Sequence, residues 1–122
     1  MKVYKDHVFI VADFYSPTDH GIQIFDLKQL RDVDSFTNFT NYYRYDLVGS
    51  LHNIAINEAT GYAYAMGITS AQLPEYQCGL HMVYISDPQN PTFAGCMSDE
   101  TTGRYNNGYV HDAQIVIYDG PD

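Results

Sequence analysis

The chain has 122 residues, enough for one small domain, and its hydrophobic fraction of 45% predicts a packed core and excludes a disordered chain. A net charge of −9, with only 6 Lys and Arg, argues against nucleic acid or an anionic membrane surface as a partner, because both require basic patches. The 12 tyrosines and 6 phenylalanines favour strands over helices.

Short apolar runs separated by turn residues follow one another along the whole chain. Residues 8–12 (VFIVA) form a buried run that ends before a polar cluster, and residues 21–27 alternate, so that Ile22 and Ile24 share one face. Residues 58–61 have the composition of a hairpin turn with a glycine at positive φ. In chain order, the predicted elements are strands at 8–12, 21–27, 43–48, 52–57, 62–66, 80–85, 92–97 and 111–118, with a helical turn at 28–33.

The chain repeats itself. HNIAIN at 52–57 is echoed by HDAQIV 59 residues later, and this period is slightly above those typical of solenoids and propellers. Residues 8–12 align with 62–66, and residues 21–25 with 79–83. The predicted fold is all-β, with β-propeller-like four-stranded antiparallel blades and about two blades in the chain. The predicted units are an incomplete first blade at 1–50, a second blade at 51–110 and the first strand of a third at 111–122.

Two blades are fewer than a closed propeller needs. We therefore expect either that the chain is a segment of a longer protein or that several copies close the ring. The combination of segments that carries the pattern is VYKDHVFIVAD at 3–13, HGIQIFDL at 20–27, HNIAINE at 52–58, CGLHM at 78–82, ISDPQNPTFAGC at 85–96, HDAQ at 111–114 and YDGPD at 118–122.

Together these segments resemble the choice-of-anchor B family, whose members carry LVIVD-type propeller repeats. The resemblance covers nearly the whole chain. It implies a secreted or surface-anchored protein, mostly bacterial, with no settled biochemical activity. Tyr84 departs from the pattern, since the repeat usually has Asp at that position.

Two histidines stand at equivalent points of successive units, in the pairs His52-Asn53 and His111-Asp112. At the start of an innermost strand, such side chains point toward a central channel. Imidazole and carboxylate groups bind Zn²⁺, and oxygen ligands alone suit Ca²⁺, so His52, His111 and Asp112 are the predicted ligands of a divalent metal. The alternative is structural: short polar side chains at strand ends bond to backbone groups and join one unit to the next.

Cys78 and Cys96 are the only cysteines. Cys78 begins the third strand of the second unit and Cys96 ends the fourth, so a hairpin brings them together and predicts a disulfide. Together with the resemblance, this favours an oxidising compartment; the alternative is two buried free thiols in a cytosolic protein. His81 aligns with Gln23, which favours a structural polar position over a repeated ligand.

Aromatic residues are frequent in and beside the predicted loops, where a rigid ring with a polar tip suits recognition of proteins or sugars. The loops at 14–20, 34–43, 69–77 and 98–109 are predicted to form one recognition face. The candidate binding residues are Phe14, Tyr15, Tyr43, Tyr76 and Tyr105.

The preferred function is an extracellular or cell-surface binding module without catalytic residues. Its predicted partners are the remaining blades of its own chain or other copies, and a protein or glycan at the cell surface. A metal-dependent enzyme with its ion in the central channel is one alternative. A structural subunit that polymerises through open sheet edges is another.

Overall fold

The computed structural model describes residues 1–14, 16, 18–102 and 108–120. The described part is all-β, as predicted, and its only helical pieces are two 3₁₀ turns at Leu27–Leu30 and Pro74–Tyr76. The strands are β1 (Lys2–Tyr4), β2 (His7–Ile10), β3 (Ile22–Asp26), β4 (Tyr43–Tyr45), β5 (Val48–Ser50), β6 (Asn53–Asn57), β7 (Tyr62–Met66), β8 (Ser70–Ala71), β9 (Leu80–Tyr84) and β10 (Thr92–Met97).

Two four-stranded sheets follow each other along the chain. The first has the order β1-β2-β3-β4 and the second β6-β7-β9-β10, and neighbouring strands are antiparallel throughout. Neither sheet closes into a barrel. The predicted hairpin turn before β7 is present, and Gly61 has a φ of 72°, which a residue with a β-carbon adopts only at a cost.

One hydrophobic core lies between the two sheets. Its members come from both sheets and from the segment that joins them, and burial of this apolar surface is the main stabilising term of the fold. The buried residues of the cluster are Tyr4, Phe9, Ile22, Ile24, Tyr45, Val48, Leu51, Ile54, Ala63, Ala65, Ile68, Val83 and Ile85.

The strand register corrects one part of the repeat alignment. Phe9 lies opposite Ile24 in the first sheet, and Tyr64 lies opposite Met82 in the second. If Ile24 and Met82 are equivalent, as the alignment of 21–25 with 79–83 requires, Phe9 corresponds to Tyr64. Residues 8–12 therefore match 63–67, one residue later than the sequence pattern indicates.

With this register, the two sheets turn different faces toward the shared core. Ile24 of the first sheet is fully buried, whereas its counterpart Met82 lies on the far face of the second sheet. Conversely, His81 is fully buried in the core, whereas its counterpart Gln23 lies on the far face of the first sheet. Equivalent faces do not meet, so the second sheet repeats the orientation of the first instead of mirroring it.

A small two-stranded sheet was not predicted. The run at 43–48 is interrupted after Tyr45, and the chain leaves the first sheet to form β5, which pairs with β8. The prediction of one strand across 43–48 is therefore wrong at its end. Val48 and Ser50 of this small sheet are buried.

Residues 108–120 form no strand, although the apolar alternation predicts one at 111–118. A strand exists only where a neighbour completes its hydrogen-bond ladder, and no described strand pairs with this segment. One hydrogen bond of 2.7 Å, from the Gly67 amide just after β7 to the Val110 carbonyl, attaches this segment to the second sheet.

We expect Asp6→Gly to stabilise the protein by about 0.5 kcal/mol, because glycine adopts the left-handed backbone of a type I′ turn more easily than aspartate. Tyr4 pairs with His7, and the two residues between them have φ values of 46° and 60°. The ion pairs of Asp6 with Lys28 and Arg31 are exposed, with N–O distances of 3.8 Å, and contribute little. Urea unfolding measures the effect.

The control for that measurement is Lys28→Ala, which removes an ion pair and keeps the turn. Its unfolding midpoint should stay close to that of the parent chain. A lower midpoint for Asp6→Gly would mean that the carboxylate matters more than the backbone conformation.

Candidate functional site

Three polar side chains meet where β2 ends and β6 begins, a region called here the histidine end. The His52 Nδ1 atom lies 3.0 Å from the Asp13 carboxylate, and both side chains are partly exposed. The His111 ring lies against the His52 ring, with 4.0 Å between centroids and 39° between planes. The structure therefore brings the two predicted histidines together by ring contact.

The residues that follow these histidines have the same local geometry. The Asn53 side-chain oxygen accepts a bond of 2.8 Å from the Ile54 amide, and the Asp112 carboxylate accepts one of 2.8 Å from the Ala113 amide. The Asn53 side chain also donates to Asp112, 59 residues away, at 2.8 Å. Each side chain thus accepts from the amide of the next residue, and the two bond to each other across equivalent points of the repeat.

The same residues line a groove of about 450 Å³ between β1, β6 and the segment at 112–115. Its walls include Lys2 of the first sheet, Asn53 and Ile54 of the second, and Asp112 and Gln114 of the terminal segment. The groove therefore runs between corresponding parts of three successive units of the sequence repeat.

The predicted metal ligands do not converge on one point. Within the ranges that the structure describes, the group of three metal-binding side chains whose donor atoms all lie within 4.8 Å of one another is Cys78, His81 and Cys96. The Asp112 carboxylate accepts a hydrogen bond from the Asn53 side chain, and His52 is hydrogen-bonded to Asp13. A divalent ion, Zn²⁺ or Ca²⁺, at His52, His111 and Asp112 stays a prediction.

Cys78 and Cys96 form a disulfide, as predicted, with 6.0 Å between their α-carbons and a sequence separation of 18. It joins the segment before β9 to β10, and Cys96 lies opposite His81 in the ladder. The bond therefore closes the outer hairpin of the second sheet beside a buried histidine.

His81 is fully buried, and both of its ring nitrogens have partners. The Tyr76 carbonyl lies 3.0 Å from Nδ1, and the Tyr45 hydroxyl lies 2.7 Å from Nε2. Because a carbonyl only accepts, Nδ1 carries the proton and donates, while the Tyr45 hydroxyl donates to Nε2. Tyr45 belongs to the first sheet, so this bond ties the two sheets together inside the core.

Burial governs the protonation of both partners. It lowers the pKa of His81 below its usual range, against a smaller raising effect of the hydrogen bond to the Tyr76 carbonyl. Burial also raises the pKa of Tyr45, with smaller contributions from the nearby Tyr76 and Asp46. The link between the sheets is therefore held by two neutral groups.

We expect the stability of the protein to fall as the pH drops below about 6.5, the ordinary pKa of histidine in an unfolded chain. The unfolded chain takes up a proton on His81 there, whereas the folded chain resists it because its pKa is lowered. Above that pH the imidazole is neutral in both states and the stability is complete. Chemical unfolding between pH 5 and pH 8 measures the slope.

His81→Gln provides the control, since it keeps a hydrogen-bonding side chain and removes the titration. Its stability should change less over the same interval. The exposed carboxyls whose pKa values are lowered by hydrogen bonds do not interfere, because lowered carboxyl pKa values act on stability only at pH values more acidic than this interval. They are Asp19, Asp87 and Asp99. An equal slope in parent and variant would contradict the assignment to His81.

The directions of the paired strands place the predicted recognition loops at two opposite ends of the sheets. The loops at 14–20 and 69–77 and the described part of 98–109 lie at the histidine end. The loop at 34–43 follows β3 and precedes β4, so it lies at the opposite end. The prediction of a single face is therefore wrong for this loop.

Among the members of the predicted binding set that the structure describes, Phe14 is the exposed one, with 97% of its surface accessible at the histidine end. Its backbone has a φ of 66°, and its amide donates to the Ser50 hydroxyl at 2.9 Å. Phe36, which the sequence reasoning did not single out, is 99% accessible in the loop at the other end. The predicted binding residues Tyr15 and Tyr105 lie outside the described residues.

The two remaining candidates, Tyr43 and Tyr76, are half-buried and pack against other rings. The Tyr43 ring lies 6.4 Å from that of His7, and the Tyr76 ring lies 5.1 Å from that of Phe93. Both also pack against the hydrophobic core. Their placement supports the fold, and a binding role for either stays a prediction.

Comparison of the chain with protein-family models, with curated proteins and with solved structures finds no match. Among the described residues there is no helix long and apolar enough to cross a membrane.

Proposed function

We propose that this chain is a pair of successive β-propeller blades of the LVIVD type, related to the choice-of-anchor B family. The main support is the packing of the two sheets. Each is a four-stranded antiparallel meander, and the second repeats the orientation of the first. Repeated orientation about one axis is the arrangement that propeller blades require.

The groove beside β1 and β6 is a second observation that supports the propeller proposal. β1 and β6 line it together with residues 112–115, which follow the second histidine of the repeat. In a propeller, the innermost strands surround a central channel. The bond of 2.8 Å between Asn53 and Asp112 then joins equivalent points of neighbouring blades.

The far face of the second sheet has the character of a surface that another blade covers. It presents Tyr64, Leu80 and Met82, none of them fully buried by the described residues. These side chains correspond to the buried Phe9, Ile22 and Ile24 of the first sheet. The partner in this proposal is a further blade of the same protein or a second copy of the chain.

A concentration series in sedimentation velocity tests the second copy as that partner. The parent chain should associate, and Met82→Lys should weaken the association by placing a charge on the apolar face. Arg44→Ala, on the far face of the first sheet, is the matched control and should leave association intact. A parent chain that stays monomeric throughout would rule out pairing between copies.

The proposed role is that of a non-catalytic binding module at the cell surface, with a protein or glycan as ligand. The observation that carries it is Phe14, a ring exposed to 97% and held in a left-handed backbone conformation. That conformation is unfavourable for an aromatic residue, and the bond to Ser50 maintains it. The disulfide supports an oxidising, extracellular location.

Binding of the labelled chain to a glycan array and to intact bacterial cells tests this role. Phe14→Ala should reduce retention by about tenfold or more, as expected for loss of a central aromatic anchor. Phe36→Ala is the matched control, because its ring is equally exposed at the opposite end, and it should bind like the parent chain. Equal losses in the two variants, or no binding to either probe, would contradict the proposal.

A further inference from the structure

The donor group around His81 shares no residue with the contact between His52 and His111 or with the groove. The sulfurs of Cys78 and Cys96 and a ring nitrogen of His81 lie within 4.8 Å of one another. The Cys96 sulfur is already 3.9 Å from the His81 Nδ1 atom. In the oxidised chain the two sulfurs are bonded to each other and have no thiolate to offer a metal.

We propose that reduction of this disulfide by a dithiol creates a zinc site, with the thiolates of Cys78 and Cys96 and the imidazole of His81 as ligands. Two thiolates and one imidazole form a donor set that Zn²⁺ uses with one further position open to water. Sulfur donors select against Ca²⁺ and Mg²⁺, which bind through oxygen. The site belongs to the reduced chain alone.

The short distances in the oxidised structure favour this geometry. Zinc–sulfur bonds of about 2.3 Å and zinc–nitrogen bonds of about 2.0 Å put tetrahedral donors roughly 3.5 Å apart. The separation of 3.9 Å between the Cys96 sulfur and Nδ1 is close to this value. The Cys78 and Cys96 α-carbons are 6.0 Å apart, so opening the disulfide requires only side-chain rotation to move the sulfurs to such a spacing.

Tyr45 allows His81 to become a ligand without leaving a buried nitrogen unpaired. In the oxidised chain its hydroxyl donates to Nε2 over 2.7 Å. When Nδ1 binds zinc, the ring proton resides on Nε2, which then donates to the same hydroxyl oxygen. A metal-bound histidine is normally oriented by such a partner on its other nitrogen. No residue of the turn at Pro74–Tyr76 is fully buried, so water can replace Nδ1 as the partner of the Tyr76 carbonyl.

A cleft of about 210 Å³ opens beside Cys78 and provides access for the ion and for the fourth ligand. It is lined by Gln77 and Tyr109 among others, so water in it meets polar groups. The His52 and His111 pair lies at the inner edge of the sheet and contributes nothing to this site.

The dithiol transfers two electrons, the bond between the two sulfurs breaks, and two thiols and an oxidised cyclic disulfide result. Zinc binding then releases one proton from each thiol to the solvent. The imidazole remains neutral, since its single ring proton moves from Nδ1 to Nε2. An oxidising compartment keeps the disulfide, and a reducing one permits the metal, so the two states exclude each other.

The test is anaerobic titration with Co²⁺ after reduction with dithiothreitol and removal of the reductant by desalting. The reduced parent chain should bind one equivalent of cobalt and develop thiolate-to-cobalt charge-transfer bands and the strong visible bands of a four-coordinate ion. Zinc added to the metal-free reduced chain should release two protons per ion, read with a pH indicator, and zinc should displace bound cobalt without further proton release. The oxidised chain should develop none of these bands.

Variants identify the ligands. Cys96→Ser and His81→Gln should each weaken cobalt binding by more than about tenfold, whereas the double variant His52→Ala/His111→Ala should bind like the parent. Circular dichroism establishes that each reduced protein is folded, and the charge-transfer intensity of the parent chain reports two thiolates even where a variant fails to fold. Absence of the thiolate bands in the reduced parent chain, equal binding when oxidised, or loss of binding in the double variant would overturn the proposal.

Discussion

Replacing His81 with Ala should lower the free energy of unfolding by about 3 kcal/mol, because the change combines a cavity with a lost buried hydrogen bond. The side chain is fully buried, and its partner Tyr45 is only 5% exposed. After truncation, the Tyr45 hydroxyl and the Tyr76 carbonyl lose their bonds of 2.7 Å and 3.0 Å. Urea unfolding followed by circular dichroism measures the loss.

A double-mutant cycle with Tyr45→Phe separates the hydrogen bond from the cavity. The coupling energy between the two positions should be about 1 kcal/mol, the usual net value of a buried hydrogen bond. Gln23→Ala, at the equivalent position on the far face of the first sheet, is the matched control and should cost about 0.5 kcal/mol or less. Additive effects of the two core variants would mean that the link between the sheets contributes nothing.

The second large effect concerns the disulfide. Cys78→Ser/Cys96→Ser should lower the free energy of unfolding by about 3 kcal/mol, the chain-entropy value for a loop of this size. The two cysteines are 18 residues apart and close the hairpin of β9 and β10 in the second sheet. Hydrogen exchange should therefore accelerate first in the ladder between β9 and β10, before the ladders between β6, β7 and β9 open.

Dithiothreitol gives the matched comparison. In the absence of metal ions it should bring the parent chain to the stability of the double variant and leave the double variant unchanged. If the reductant destabilises both proteins equally, the effect does not come from this bond.

Much of the fold follows from local pattern. The alternation at 21–27 and the apolar runs at 62–66 and 92–97 correspond to β3, β7 and β10, because alternation matches the two-residue period of a strand. The turn chemistry at 58–61 placed a glycine where φ is positive. The cysteine pair was predicted because hairpin ends lie close together.

The contacts between side chains of the candidate site could not be predicted from local sequence patterns. The alignment of His81 with Gln23 indicated a structural polar position, yet nothing in the local sequence identifies Tyr45 as its partner in the other sheet. Likewise, the bond between Asp13 and His52 joins residues 39 positions apart that share no motif. Such contacts depend on how two sheets pack, which no single strand pattern contains.

The amino-acid sequence alone determined the all-β class, most strand positions, the disulfide and the repeat of His-Asn by His-Asp, since these follow from periodicity, turn residues and hairpin geometry. The tertiary structure decided which residues of β2 and β7 are equivalent in the repeat, a shift of one residue from the sequence alignment. It also decided the burial of His81 and the placement of the loops at two opposite ends of the sheets. It also left 111–118 without a strand. The physical reason is that ladders and packed faces need partners distant in the chain, and a strand pattern becomes a strand only where such a partner completes its hydrogen bonds.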